Sequence, residues 1–428
     1  MKTRSLLYLF LSLGFWTACT PDESEVLDFN KVDVAKIELG ADARQLIADG
    51  IATLTLNPIL YQECTYQDKD GKDSVGYGRI PTDRLKDVVR YFLEDGTELE
   101  GAEYRTTDLA QGNVGFYITV NDMKSDVFTV ALREPFADDK YETITYPVVF
   151  HVVQATENVT AGQSIGADLI YEVFNTMSKI FAREVAVAPN GADTRIRFQL
   201  AEYDPNGKKM QERGINRFSE RSEDLNNYLL KNLESELKGY YSKYILWDYK
   251  KYLNIWIIEG VGASIAAPPT YILAGTEPLD GVFMIGKSEA DFENVNWKVS
   301  DIGLLFDAFQ FKTGDGLQFG HVGLMGSFFG LKPTENMDSQ NVTSDYCDDT
   351  VPYRIYTESW YDQNGADANS RLKITDDGLL FYSTNIMDYG SFRSSITMDQ
   401  VKRMRIITDN CPLRWSWKSK WAFTGKED

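Results

Sequence analysis

Two short, nearly unbroken apolar runs constrain this chain more than anything else in it. Pro147-Val148-Val149-Phe150-His151-Val152-Val153 and Leu253-Asn254-Ile255-Trp256-Ile257-Ile258 have no polar alternation. A strand with one wet face alternates, so these two must be covered on both faces, and Leu253–Ile258 reads as the central strand of a sheet. Each is far shorter than the roughly 18 apolar residues of a membrane helix. Around them, Ala167 to Phe181 places apolar residues near i, i+3 and i+4, the spacing of an amphipathic helix. Ile196–Leu200 reads as a further strand, Leu225 to Leu237 as a second helix. Residues 143–428 are therefore expected to form one mixed domain of helices and strands.

The region before it has a different texture. Ala35–Leu39, Ala52–Leu56, Val88–Leu93, Gly115–Val120 and Val127–Leu132 are short β segments, and turns such as Ala48-Asp49-Gly50 and Glu94-Asp95-Gly96 separate them. That spacing predicts an all-β sandwich over 32–135, with the last two segments as a closing hairpin. The strings resemble bacterial immunoglobulin-like domains, which implies a spacer or stalk without chemistry. Residues 136–142 are the expected linker.

The first 18 residues carry Lys2 and Arg4, an apolar stretch from Leu6 to Trp16, then Thr17 and Ala18 before Cys19. A basic start, an apolar middle and small residues at the end make a secretory signal peptide. Thr-Ala-Cys resembles a bacterial lipobox, which implies lipidation of Cys19 and a membrane anchored through acyl chains such as palmitate. Residues 19–31 form an acidic tether, as on lipoproteins displayed at the surface of an outer membrane; a plain solvated tether fits the same residues. Charge agrees with an anchor rather than adsorption: 64 Asp+Glu face 44 Lys+Arg, a formal −20. Such a chain lacks the cationic surface that nucleic-acid binding requires.

Within 143–408 the order of segments resembles the pappalysin-like (cytophagalysin) metzincin metalloproteases. The match rests on Tyr146–Val153, on Arg197-Phe198-Gln199-Leu200-Ala201-Glu202-Tyr203-Asp204-Pro205-Asn206-Gly207, on Tyr252–Trp256, and on Asn385-Ile386-Met387-Asp388-Tyr389 with the helix after it. The last string is similar to the family's Met-turn. The resemblance implies an α+β zincin (metzincin-like) domain after the Ig-like sandwich. The family's zinc signature places two His one helical turn apart, a Glu general base beside the first, and a third His after a glycine turn.

Here the corresponding stretch is Gly323-Leu324-Met325-Gly326-Ser327-Phe328-Phe329-Gly330-Leu331-Lys332-Pro333. Gly326, Gly330 and Leu331 keep the frame. Gly323, Ser327 and Pro333 stand at the ligand positions and Leu324 at the base position. Glycine and proline have no side-chain donor, and leucine cannot take a proton from water. The expectation is a protein without zinc and without proteolysis.

The chain holds only two histidines. His151 falls in a strand and is expected to be structural. His321 lies two positions before the first lost ligand, on a different helix face, and with Glu335 or Asp338 it outlines the one rearranged metal site open to this sequence. By the resemblance, Met387, Tyr389 and His321 line a cleft, and Asp345-Tyr346-Cys347-Asp348-Asp349-Thr350 resembles a segment that takes part in calcium binding in some relatives; a solvated acidic loop is the better reading of it. After Cys19, three cysteines remain. Cys64 falls in the sandwich, which leaves Cys347 and Cys411 for an intradomain bridge.

The resemblance implies a pseudo-metalloprotease that captures peptide or glycopeptide beside a TonB-dependent transporter. The alternatives are an active metallohydrolase with a rearranged site, and a structural or adhesive surface protein.

Overall fold

Strand β11 (Ile144–Ala155) organises the larger part of the molecule. In this computed structural model, residues 34–67, 71–80, 88–185, 187–224, 246–259, 270–295, 297–308, 311, 320–336, 345–355, 372–375, 380–389 and 393–427 are described. The signal peptide, Cys19, the tether, the Leu225–Leu237 helix and Asp338 lie outside them.

Three strands pair with β11, all parallel. On one side its first half meets β12 (Ile196–Leu200) and its second half β13 (Ile215–Glu220); on the other lies β14 (Leu253–Ile258). Strand β17 (Gly303–Asp307) then adds to β14, again parallel. The two apolar runs are thus the centre of the sheet, as their composition required: every residue of β14 is buried, and all but one of β11. The helix Ala167–Phe181 covers it, burying Ile170, Val173, Phe174, Met177, Ile180 and Phe181 on one stripe. Smaller two-stranded pieces follow the sheet: β15 (Tyr271–Leu273) with β16 (Phe283–Ile285), β18 (Glu335–Asn336) with β19 (Tyr353–Arg354), and β20 (Leu372–Ile374) with β21 (Leu380–Tyr382).

The N-terminal unit consists of two sheets. One is ordered β1 (Val34–Ala41), β3 (Leu54–Gln67), β4 (Asp73–Arg79), and β7 (Glu103–Tyr104) also pairs with β3. The other is ordered β2 (Gln45–Ile47), β10 (Phe128–Arg133), β8 (Asn113–Val120), β5 (Arg90–Leu93), β6 (Glu98–Leu99), and β9 (Met123–Lys124) pairs with β8. The expected closing pair is present, with Phe128 opposite Phe116 in an antiparallel ladder. Leu39, Leu54, Leu56 and Leu60 from one sheet and Phe116, Ile118 and Val130 from the other share one core.

This unit does not stand off as a stalk. Its apolar core is continuous with that of the larger unit, in a single cluster running from Leu39 to Met404. The Ile47 amide donates to the Pro189 carbonyl and the Thr53 amide to that of Val187. Arg183 pairs with Asp49 at 2.6 Å, and Arg133 holds Asp349 and Asp399 at 3.0 Å each. A spacer would have been wrapped in water at this surface; here apolar contact and buried charge join the two units.

The acidic segment supplies part of that joint. Asp345 and Asp349 are buried rather than solvated. Asp345 accepts from the Thr350 hydroxyl and the Cys347 amide; Asp349 accepts from Arg133, the Thr397 hydroxyl and the Asp399 amide. Desolvation raises both carboxyls to about 6.

The expected bridge is not formed: Cys347 and Cys411 are free thiols. Cys347 sits in the field of Arg403, whereas Cys411 caps the end of the same helix, Met398–Asn410, among Trp256, Ile407 and Leu413.

Candidate functional site

The helix Gly320–Phe328 carries Gly323, Leu324 and Ser327, three of the four positions singled out in the sequence, and its glycines explain how it sits. A Cβ on Gly326 would meet the Met387 sulfur at 2.7 Å and the Ile386 side chain at 2.9 Å. Only a bare backbone lets the helix lie directly on the turn Asn385–Tyr389. Gly330 ends the helix at φ +85°, a left-handed conformation natural to glycine. There the Leu331 amide returns to the Gly326 carbonyl and the Gly330 amide to that of Ser327. Two buried guanidiniums close the end: Arg414 Nε donates to the Phe328 carbonyl and Arg403 Nε to that of Gly330, each at 2.7 Å. Cations at a helix C-terminus meet the negative end of its dipole.

The turn beneath is held by one amide. Asn385 Nδ2 donates to Gln400 Oε1, its Oδ1 accepts from Gln400 Nε2 and from the Met387 amide, and its own amide donates to Asp388. Thr334 Oγ1 donates to Asp388 Oδ1 at 2.6 Å. The Tyr389 amide donates to the Tyr353 hydroxyl, while Lys373 Nζ donates to the Tyr389 carbonyl. Met387 is buried as packing for Gly326. Tyr389 is 43 % exposed and faces solvent.

The ligand positions hold no donor set for zinc. Gly323 is buried, and Arg393 fills the space its side chain would need: a Cβ there would fall 2.7 Å from Arg393 Nη1 and 3.0 Å from the Ile386 carbonyl. Ser327 is buried, Leu324 half-buried and Pro333 exposed. Among the described residues, no group of three or more His, Cys, Asp and Glu side chains converges in a way that could hold a metal. Around the turn lies a mixed set of charges instead. Burial raises the carboxyls of Asp388 and Glu335, and burial lowers the Lys373 ammonium. Arg393 lies in the field of both acids and of the lysine. The Arg393 guanidinium packed against Gly323 is electrostatically opposed to a divalent cation at that place.

Both histidines are buried. His321 is 5 % exposed, its ring edge-on to Phe306 at 4.4 Å and to Phe311 at 5.0 Å. Glu335, its postulated partner in a rearranged site, lies instead in the field of Arg393, Asp388 and Lys373. His151 is fully buried in β11. Asn216 Nδ2 donates to its Nδ1, so Nε2 carries the proton and donates to Asn254 Oδ1 at 2.8 Å. Desolvation lowers its pKa to about 4, which keeps the ring neutral.

The sequence therefore located the helix and the turn but missed Arg393, Lys373, Glu335 and Asp388 as one cluster. Nothing in the spacing of 335, 373, 388 and 393 announces a common site. The only local signal was the missing side chain at 323, a space that something had to occupy.

Beside the turn is a cavity of about 60 Å³ in which the two units meet. Asp42 and Ala43 of the N-terminal unit form one wall; Thr334, Asn385 and Asp388 belong to the other.

No family model matches this chain, and no curated protein matches it. Solved structures of mirolysin from Tannerella forsythia align with it. Mature mirolysin in complex with a cleaved peptide aligns at 21% identity and a TM-score of 0.41, covering 66% of this chain and 97% of that one. A promirolysin mutant aligns at 22% identity and 0.40, covering 66% and 85%. Mirolysin in complex with compound 9 aligns at 21% identity and 0.42, covering 66% and 97%. Likeness at this distance carries no activity across, so the function has to be argued from this chain's own residues.

Proposed function

We propose that this protein is a non-catalytic member of the metalloprotease-like lipoproteins: an Ig-like sandwich fused to a zincin-like domain, anchored through Cys19 at the outer membrane. Its task is to hold peptide or glycopeptide for a TonB-dependent transporter rather than to cut it. One observation supports the loss of chemistry above all: the Arg393 guanidinium packed against Gly323. Peptide hydrolysis by a metalloprotease needs a polarised carbonyl and an activated water, both supplied by zinc with an open position. The residues at 323, 324, 327 and 333 offer neither ligands nor a base, and a resident cation repels a second one. What the frame keeps is the helix-on-turn packing and a partly exposed tyrosine, Tyr389, beside it.

The decisive experiment incubates purified protein with excess ZnCl₂, dialyses it, and measures metal by elemental analysis beside a digest of a peptide pool. The expected result is far less than one zinc per chain, retention of some peptides and no cleavage. Stoichiometric zinc together with cleavage that His321→Ala abolishes would install the metallohydrolase alternative. Labelling with palmitate that disappears in Cys19→Ala tests the anchor separately.

A further inference from the structure

The far end of the first sheet carries a ribbon that the function above leaves unused. β3 pairs with β4 residue for residue from Gln62 opposite Gly78 to Gln67 opposite Asp73, and past Gln62, which also meets Val34 of β1, no other strand joins it among the described residues. Among the described residues no further strand is added beyond β4, which forms the edge of its sheet there. Open edges are normally blunted by a lysine or proline within the strand or by a bulge. β4 has none of these: it reads Asp73-Ser74-Val75-Gly76-Tyr77-Gly78-Arg79, with Val75 60% and Tyr77 59% exposed.

That sequence is complementary to itself. If two β4 strands pair antiparallel about Gly76, Asp73 of each faces Arg79 of the other, Val75 faces Tyr77, and Ser74 faces Gly78. Residues 73, 75, 77 and 79 share one face of the strand, so each copy contributes an acid, two exposed apolar groups and a base in mirrored order. On that face the cross-strand pairs are of a favourable kind: opposite charges at the ends, aliphatic on aromatic within. The centre of the pairing is Gly76. Its side-chain space is taken by the Tyr66 ring, 2.8 Å from where a Cβ would stand.

We propose that β4 is a homodimer interface, in which two copies of this chain join by antiparallel pairing of their β4 edges about a two-fold axis at Gly76. The contact is isologous, so it closes at two chains and leaves no second edge to propagate. The occupant is a second copy because the charge order along the edge matches its own reversal.

Sedimentation velocity of the purified chain over a concentration series tests this. Wild type is expected to pass from one-chain to two-chain mass below about 100 µM, and Asp73→Arg or Arg79→Asp alone to weaken association by about tenfold or more. The double exchange, D73R with R79D, restores the opposite-charge pairs and should return the dimer to within about threefold of wild type. In a second measurement, V75C protein mixed with Y77C protein should form a disulfide-linked pair under mild oxidation, and neither variant alone should do so. Circular dichroism confirms that each variant is folded, since the altered side chains are on the surface. A single-chain mass throughout the wild-type series, a double exchange that stays as weak as the single ones, or crosslinks formed equally by either cysteine variant alone would overturn the proposal.

Discussion

Strands β3 and β11, the longest of their units at 14 and 12 residues, are built on opposite plans. β11 is buried almost from end to end, takes parallel partners on both sides and has no contact with water to exploit. β3 is buried through Leu60 and then leaves the core, and its last six residues with β4 form a ribbon wet on both faces. The difference separates two jobs. A strand enclosed by its neighbours fixes the positions of everything packed on it, and here that includes the helix and turn of the candidate site. A strand that leaves the core fixes nothing inside and is available to something outside.

Substitutions should respect that division, beginning with the most damaging. Phe150→Ala removes a fully buried ring from the middle of β11 and is expected to cost about 3–5 kcal/mol of stability in a denaturant titration. A loss below about 1 kcal/mol would show that the sheet is not the rigid member of the pair. Arg133→Ala strips the cation from Asp349 at the joint and should cost about 2–4 kcal/mol, and Arg133→Lys should recover only part of it. If the N-terminal unit melts separately in wild type, the joint is weaker than its buried charges suggest.

Acidity acts on the two regions with opposite sign. His151, lowered to about 4 from an ordinary 6.5, stabilises the sheet while neutral; that contribution is complete above pH 6.5 and is lost as pH falls towards 4, about 3 kcal/mol in all. Asp345, raised to about 6 from 3.8, behaves in reverse. Its native form binds the proton more readily than the unfolded chain, so stability rises as pH falls from 6 to 4, again by up to about 3 kcal/mol. Thermal melts from pH 7 to pH 4 should therefore show His151→Gln less acid-sensitive than wild type and Asp345→Asn more so. Parallel curves for all three proteins would remove both assignments.

Two smaller effects complete the series. Gly326→Ala forces a methyl against the Met387 sulfur and should cost about 1–3 kcal/mol despite alanine's better helix propensity. Tyr77→Ser, on the ribbon, should change folding stability by less than about 0.5 kcal/mol.

What could be read from the sequence follows the same line. The apolar runs at 147–153 and 253–258 and the stripe from 167 to 181 gave their elements directly, because burial on both faces or on one stripe leaves a mark on every residue concerned. The helix from Met398 entered only through the resemblance, and the reciprocal cap of Thr397 and Gln400 that opens it went unread. The joint was not legible. Arg133, Asp349 and Asp399 are ordinary charges in sequence, and only the fold brings them to 3.0 Å. Asp345 and Asp349 sit in a run that looks solvated, yet the Thr350 hydroxyl, the Thr397 hydroxyl and backbone amides supply the partners that water would have. The absence of donor side chains at 323, 324 and 333 could be read one residue at a time; the packing of Arg393 against Gly323 could not, since it depends on how a later loop returns to the helix.

The parallel pairing of β11 also bears on how the chain comes to its native state. Phe150 pairs with Ile215 and with Ile255, about 65 and about 105 residues downstream. Long loops must close before either ladder returns any free energy. Until then the most apolar strand of the protein waits without neighbours, so refolding should be slow, and its yield should fall with rising protein concentration as collisions between nascent chains outpace closure.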